Sequence, residues 1–196
     1  MTRGSGAALR VLHAVRTTGY ADTARIAARA GVDADTAAAH LADAQASGWV
    51  ALARFAGDQG WSMTERGRVH GERLLAAELD AAARAEVVRV HGEFLPHNDV
   101  VAGACTAWQL AELGLGGRTL AETLTALEVP AAALRGFEAR LTAHLTRFAG
   151  YHGRFAAALA ASRTDPRWIT GTDRDSCHRV WFELHEDLIA TLGLTR

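Results

Sequence analysis

The 196-residue chain contains no lysine, so all 21 of its basic residues are arginine. Without a side-chain primary amine, Schiff-base chemistry and lysine-type phosphate clamping are excluded. Cysteine is nearly absent too. Cys105 and Cys177 belong to no CxxC and no paired Cys/His cluster. A disulfide framework and a structural zinc site are therefore not expected, a reducing cytoplasm is, and neither metal nor cofactor is called for. No apolar run approaches the roughly 18–20 residues of a membrane span, and the apolar stretch in MTRGSGAALRVLHAV is too short for a secretory signal. Membrane partners are not expected. The net charge of -1 gives no overall pull toward a polyanion.

Proline is the last scarcity: only Pro96, Pro130 and Pro166 interrupt an alanine- and leucine-rich chain, which therefore reads as mainly α. A first helix is predicted over about 7–17, ending near Gly19. A second, in ADTARIAARAGV, starts after an Asp22 cap and turns at Gly31, and a third runs over about 34–46 behind Asp33. WVALARF and GWSM, separated by AGDQG, read as a small hairpin. A long helix is then expected from Thr64 toward His91, another after Pro96, and another in TLAETLTALEV. The next would open at Pro130 and extend past Phe155, with a bend at Gly150. A loop over 165–171 precedes the last helix.

TARIAARAGV followed by a helix and SGWV resembles the helix-turn-helix core of MarR-like regulators, and GWSMTERGR resembles the end of their wing. The resemblance covers about residues 7–75. It implies a winged helix-turn-helix domain, taken as 1–79, followed by an all-α ligand-binding or dimerisation domain, 80–196. It also implies that the third helix enters the major groove of double-stranded DNA. Arg25, Arg29, Arg54, Arg66 and Arg68 would then hold phosphates while Thr36 and His40 reach base edges. Against this, the third helix carries Asp35 and Asp43 behind Asp33, and His40 is the one basic residue between Arg29 and Arg54. Residues 1–79 hold nine arginines against eight acids, a near-neutral balance for a DNA-binding head.

Three C-terminal patterns are candidates for a small-molecule site. In DSCHRVWFELHEDL, a 100° helical wheel places His178 and His185 beside the apolar face of Trp181, with Arg179, Glu183, Glu186 and Asp187 on a solvated side. Seven residues separate the histidines by roughly 10 Å, too far for routine chelation. In LRGFEARLTAHLTRFAGYHGRF, the residues Arg140, His144, Arg147, Tyr151 and Arg154 fall on one helical face, and the last three suit a carboxylate or phosphate. In HNDVVAGACTAWQL, Asn98, Trp108 and Gln109 share a face that would supply an apolar wall and directional hydrogen bonds. A core face explains these residues as simply as a pocket does.

The leading expectation is a ligand-responsive, homodimeric transcriptional regulator whose C-terminal domain binds a small aromatic molecule, an anion among the candidates. The alternative is the same scaffold reused as an enzyme. It would use His178 or His185 as general acid/base and Arg147 or Arg154 as anion stabiliser, with little or no DNA binding.

Overall fold

Side chains one residue ahead of each helix explain where most of the helices begin. Asp22, Asp33, Thr64 and Thr119 each accept the backbone N–H three residues on, and Thr119 forms a reciprocal capping box with Glu122. A computed structural model describes residues 2, 4–55 and 57–194. Ala56, part of the turn expected in AGDQG, lies outside the described residues, as do the chain ends. The elements are α1 (Ala7–Thr18), β1 (Tyr20–Ala21), α2 (Thr23–Ala30), α3 (Ala34–Ala46), β2 (Val50–Phe55), β3 (Asp58–Met63) and α4 (Glu65–Glu78). They continue as α5 (Ala81–Glu112), α6 (Leu120–Thr142), a 3-10 turn (Thr146–Phe148), α7 (Tyr151–Ala161), α8 (Arg167–Thr170) and α9 (Cys177–Leu192). The protein is thus mainly α with one small antiparallel sheet of order β1-β3-β2.

The chain divides into two compact units that are not continuous in sequence. Among the described residues, one comprises 4–84 with 186–194 and the other residue 2 with 85–185. α5 and α9 each contribute residues to both.

In the N-terminal unit, Val15, Ile26 and Leu41 bring one face each of α1, α2 and α3 into a core that Val50 and Trp61 complete from the sheet. Gly31 makes the α2–α3 turn at φ 63, a left-handed conformation that glycine adopts without steric cost. Tyr20↔Ser62 and Val50↔Met63 set the sheet register, and the Trp61 indole N–H donates to Thr23 Oγ1 at 3.0 Å. Strand β1 escapes sequence reading because two residues cannot show a period. Gly67 is where α4 meets the start of β2: a Cβ there would collide with the Trp49 carbonyl oxygen.

The helix boundaries after residue 64 depart from expectation. The helix predicted toward His91 stops at Glu78, because Leu79 is extended and Asp80 caps a new helix through the Ala83 N–H. Pro96 and Pro130 lie inside α5 and α6 instead of opening helices. An interior proline costs about 3 kcal/mol. Phe94 and Val101 around the first, and Leu127 and Leu134 around the second, are all fully buried, and each such side chain returns roughly 1.5–3 kcal/mol. Packing therefore outweighs the lost hydrogen bond. The helix expected to run through Phe155 is broken by the 3-10 turn and by Gly150 at φ 95. The expected loop before α9 contains the short α8. Among the described residues, no helix is long and apolar enough to cross a membrane.

Candidate functional site

The residues expected to meet DNA lie on α2, α3 and the β2–β3 hairpin, with unequal freedom to do so. Arg54 is exposed, with its Nε donating to Gln59 Oε1 at 2.8 Å. Arg25, Arg29 and His40 are half-buried. Thr36 is committed to the start of its own helix: its hydroxyl donates to Asp33 Oδ2 at 2.7 Å and its N–H to Asp33 Oδ1. That backbone bond holds the Asp33 carboxyl below its usual pKa, so the cap is anionic. The solvent face of α3 is otherwise alanine with Asp35, Asp43 and Gln45.

In the second unit, the predicted ligand residues are distributed over three environments. Trp181 is a core side chain. Its ring stacks on Phe94 at 4.7 Å and meets Phe155 edge-on at 5.5 Å, and its indole N–H donates to Asn98 Oδ1 at 3.2 Å. His185 is half-buried beside Phe94, 6.1 Å from the ring of His91, a partner the sequence did not suggest. Burial lowers the pKa of His91. Trp108 and Gln109 sit ten and eleven residues beyond Asn98 on α5, roughly 15 Å along the axis, so they do not join this cluster. Gln109 is exposed, and Trp108 is half-buried with its N–H sealed from solvent and unbonded.

The expected basic stripe is not a single face, because the helix that would carry it is broken. Arg140 remains on α6 and pairs with Glu86 and Glu93, lowering both carboxyl pKa values through its hydrogen bonds. Arg147 lies in the 3-10 turn with its guanidinium over the Phe148 ring. Arg154 covers the ring of buried Tyr151 and is claimed by two carboxylates, Glu183 at 2.8 Å and Asp175 at 3.4 Å. An anionic ligand would have to displace both.

α9 reverses the expected sides of its wheel. Glu183, Glu186 and Asp187 are buried, at 1%, 8% and 1% exposure, while His178 and Phe182 face solvent. Partial desolvation still lowers the His178 pKa. The acids are inside because each finds a cationic or imidazole partner: Glu183 meets Arg154 and Arg179, Glu186 meets Arg16, and Asp187 meets His13. The sequence held a signal for the last two. Glu186 and Asp187 have no arginine or histidine four residues before or after them, so a solvated helix face would leave them without helical pairs.

That reversal exposes a site the sequence reading missed, built wholly within the N-terminal unit. His13 of α1 is 8% exposed and its Nε2 lies 2.9 Å from Asp187 Oδ1, which also accepts from Thr191 Oγ1 at 3.2 Å. Neither imidazole nitrogen makes a well-aligned hydrogen bond, and Nδ1 is left unpartnered. A buried polar group in that condition costs about 1–3 kcal/mol. One helical turn on, Arg16 reaches Glu186 at 3.2 Å and Glu72 at 3.3 Å, and Arg68 reaches the same Glu72 oxygen at 2.8 Å. His13, Arg16, Arg68 and Glu72 line a small crevice with room for about one water molecule, with Leu12 and Leu75 on the apolar side. Gly71 contributes no side chain to it.

Neither cysteine competes as a reactive group. Both are buried, and burial pushes each thiol up to about 12. Among the described residues, no cluster of three or more His, Cys, Asp or Glu side chains is arranged to hold a metal ion.

Comparison with models of known protein families, with curated proteins and with solved structures returns no match.

Proposed function

We propose that the protein is a winged-helix transcriptional regulator of the MarR-like kind, binding duplex DNA as a homodimer and responding to a small molecule. The observation that carries this reading is the order α1-β1-α2-α3-β2-β3 with sheet order β1-β3-β2 and a glycine-made α2–α3 turn. That order offers a helix and a two-stranded wing on the scaffold where a winged helix holds DNA. With an acidic α3, affinity has to come from phosphate contacts by Arg25, Arg29 and Arg54 more than from base reading. The dimer is supported by exposed Val88, Leu95 and Leu110, which share one face of α5 with Gly92 and Gly103. For the effector in the helical unit, the neutralised Arg154 favours an uncharged aromatic molecule over an anionic one.

The acidic α3 also supports a second reading, in which the scaffold is an enzyme and the winged helix no longer meets DNA. Fluorescence anisotropy on a library of genomic fragments, including the DNA upstream of the protein's own gene, separates the two. The regulator binds a subset of fragments with an affinity that falls as salt rises from 50 to 200 mM, and Arg54→Ala lowers the salt slope by about one. No salt-sensitive binding to any fragment would refute the regulator and leave the enzyme reading.

A further inference from the structure

The ring of Tyr20 lies across the β2–β3 hairpin. Strand β1 pairs with β3 at Ser62 and Trp61 and stops short of residues 58–60, where the sheet narrows to β2 and β3. A two-stranded hairpin is marginal by itself. Gly60 is nevertheless buried, although Gly57, Asp58 and Gln59 before it are exposed. Tyr20 covers it: a Cβ at Gly60 would stand 2.3 Å from Tyr20 Cζ, so the ring fits only over a glycine. The Tyr20 hydroxyl donates to the Asp58 carboxylate, whose Oδ1 also accepts the Gln59 N–H at 2.8 Å.

Strand alternation decides what this brace leaves free. Tyr20 pairs with Ser62, and Ser62, Gly60 and Asp58 share one face of β3 while Gln59 takes the other. Gln59 pairs in register with Arg54, whose Nε donates to Gln59 Oε1 at 2.8 Å. Tyr20 therefore supports the hairpin from the face opposite Arg54, and the guanidinium is held while it stays exposed. Tyr20 is itself 41% exposed and lies outside the core of its unit. An arginine on a braced hairpin loses less freedom on meeting a phosphate, and ordering such a side chain at an interface costs a factor of about two to ten in affinity.

We infer that Tyr20 is a positioning residue for DNA binding: its ring on Gly60 and its hydroxyl on Asp58 hold the hairpin so that Arg54 meets a phosphate already in place. The inference rests on the regulator reading and adds to it a residue that acts through Arg54.

The test undoes the contact from both sides, with Tyr20→Ala and Gly60→Ala, and keeps the ring in Tyr20→Phe. Gly60 is not at positive φ, so its backbone accepts alanine. Heteronuclear NOE values of the full chain report motion at residues 57–60. Fluorescence anisotropy on a short mixed-sequence duplex, from about 50 to 200 mM salt, reports affinity. Both alanine variants should loosen the hairpin and weaken binding about two- to tenfold, and the double variant should be no worse than either single. Tyr20→Phe should stay within about twofold of the parent. In an Arg54→Ala background, Tyr20→Ala should weaken binding no further, which a general loss of structure would not reproduce. A circular dichroism melt checks that each variant is folded at the assay temperature, and Gly60→Ala carries the test if Tyr20→Ala is not. A hairpin still ordered in both variants, an affinity unchanged when it loosens, or an equal loss with and without Arg54 would each overturn the inference. A parent protein without salt-sensitive binding to the duplex removes the regulator reading, and the positioning role with it.

Discussion

The sharpest energetic consequence of the structure concerns His13 and Asp187, whose side chains are 8% and 2% exposed and 2.9 Å apart. His13→Leu removes the imidazole and leaves a desolvated carboxylate that keeps the Thr191 hydroxyl. Breaking one side of a buried pair costs about 3–5 kcal/mol, and the retained bond places the expected loss near the lower end, about 3 kcal/mol. For a chain of this size that corresponds to a fall in melting temperature of roughly 6–12 °C. The double substitution His13→Leu/Asp187→Leu behaves differently. It replaces the pair with hydrocarbon of similar bulk and should return to within about 1–2 kcal/mol of the parent. Amide hydrogen exchange over Val11–Val15, on the buried face of α1, reads the stability of the unit directly. The single variant should exchange about two orders of magnitude faster, and the double variant should recover most of that. Additive losses, with the double worse than either single, would show that the two side chains do not interact and that the assigned geometry is wrong.

Two further outcomes test other parts of the structure. Gly71→Ala and Gly67→Ala sit one turn apart on α4 and should have opposite signs in urea unfolding. The first adds a methyl at ordinary contact distance and gains about 0.5–1 kcal/mol of helix propensity; the second drives a methyl into the Trp49 carbonyl oxygen and destabilises. Equal effects would contradict the close approach of α4 to β2. Native Cys105 and Cys177 should resist a thiol reagent at pH 8, and both should react once the chain is unfolded in urea. Rapid native labelling would contradict their burial and raised pKa values.

What the sequence reveals here is what short-range chemistry decides. Asp22 and Asp33 cap the helices they precede because the capping bond spans three residues, and Gly31 turns because only its own φ is at stake. The bounds of α3 were readable for the same reason. Prolines 96 and 130 misled because their cost is local while the burial that offsets it is not. A reading by proline position cannot see Phe94 packed under Trp181 or Leu134 fully buried. The broken basic stripe has the same origin: a wheel drawn through residues 140–154 assumes a continuous helix, and Gly150 at φ 95 ends that assumption.

The histidines of α9 drew attention because of their spacing, yet the acids beside them carry the stronger constraint. In a chain without lysine, every buried carboxylate must find an arginine, a histidine or a hydroxyl, and α9 recruits all three. Glu183 takes Arg154 and Arg179 in one unit. Glu186 and Asp187 take Arg16 and His13 in the other, with Thr191 on Asp187. Arg16 meets two carboxylates and has no acceptor to present. His13, near the start of the chain, is thus packed against an aspartate from its opposite end. Replacing Asp187 by asparagine keeps an acceptor for the Thr191 hydroxyl but removes the carboxylate that faces the His13 ring. An imidazole nitrogen-15 spectrum of the variant should then differ from the parent's at the His13 ring. An unchanged ring spectrum would show that Asp187 acts on His13 by packing alone.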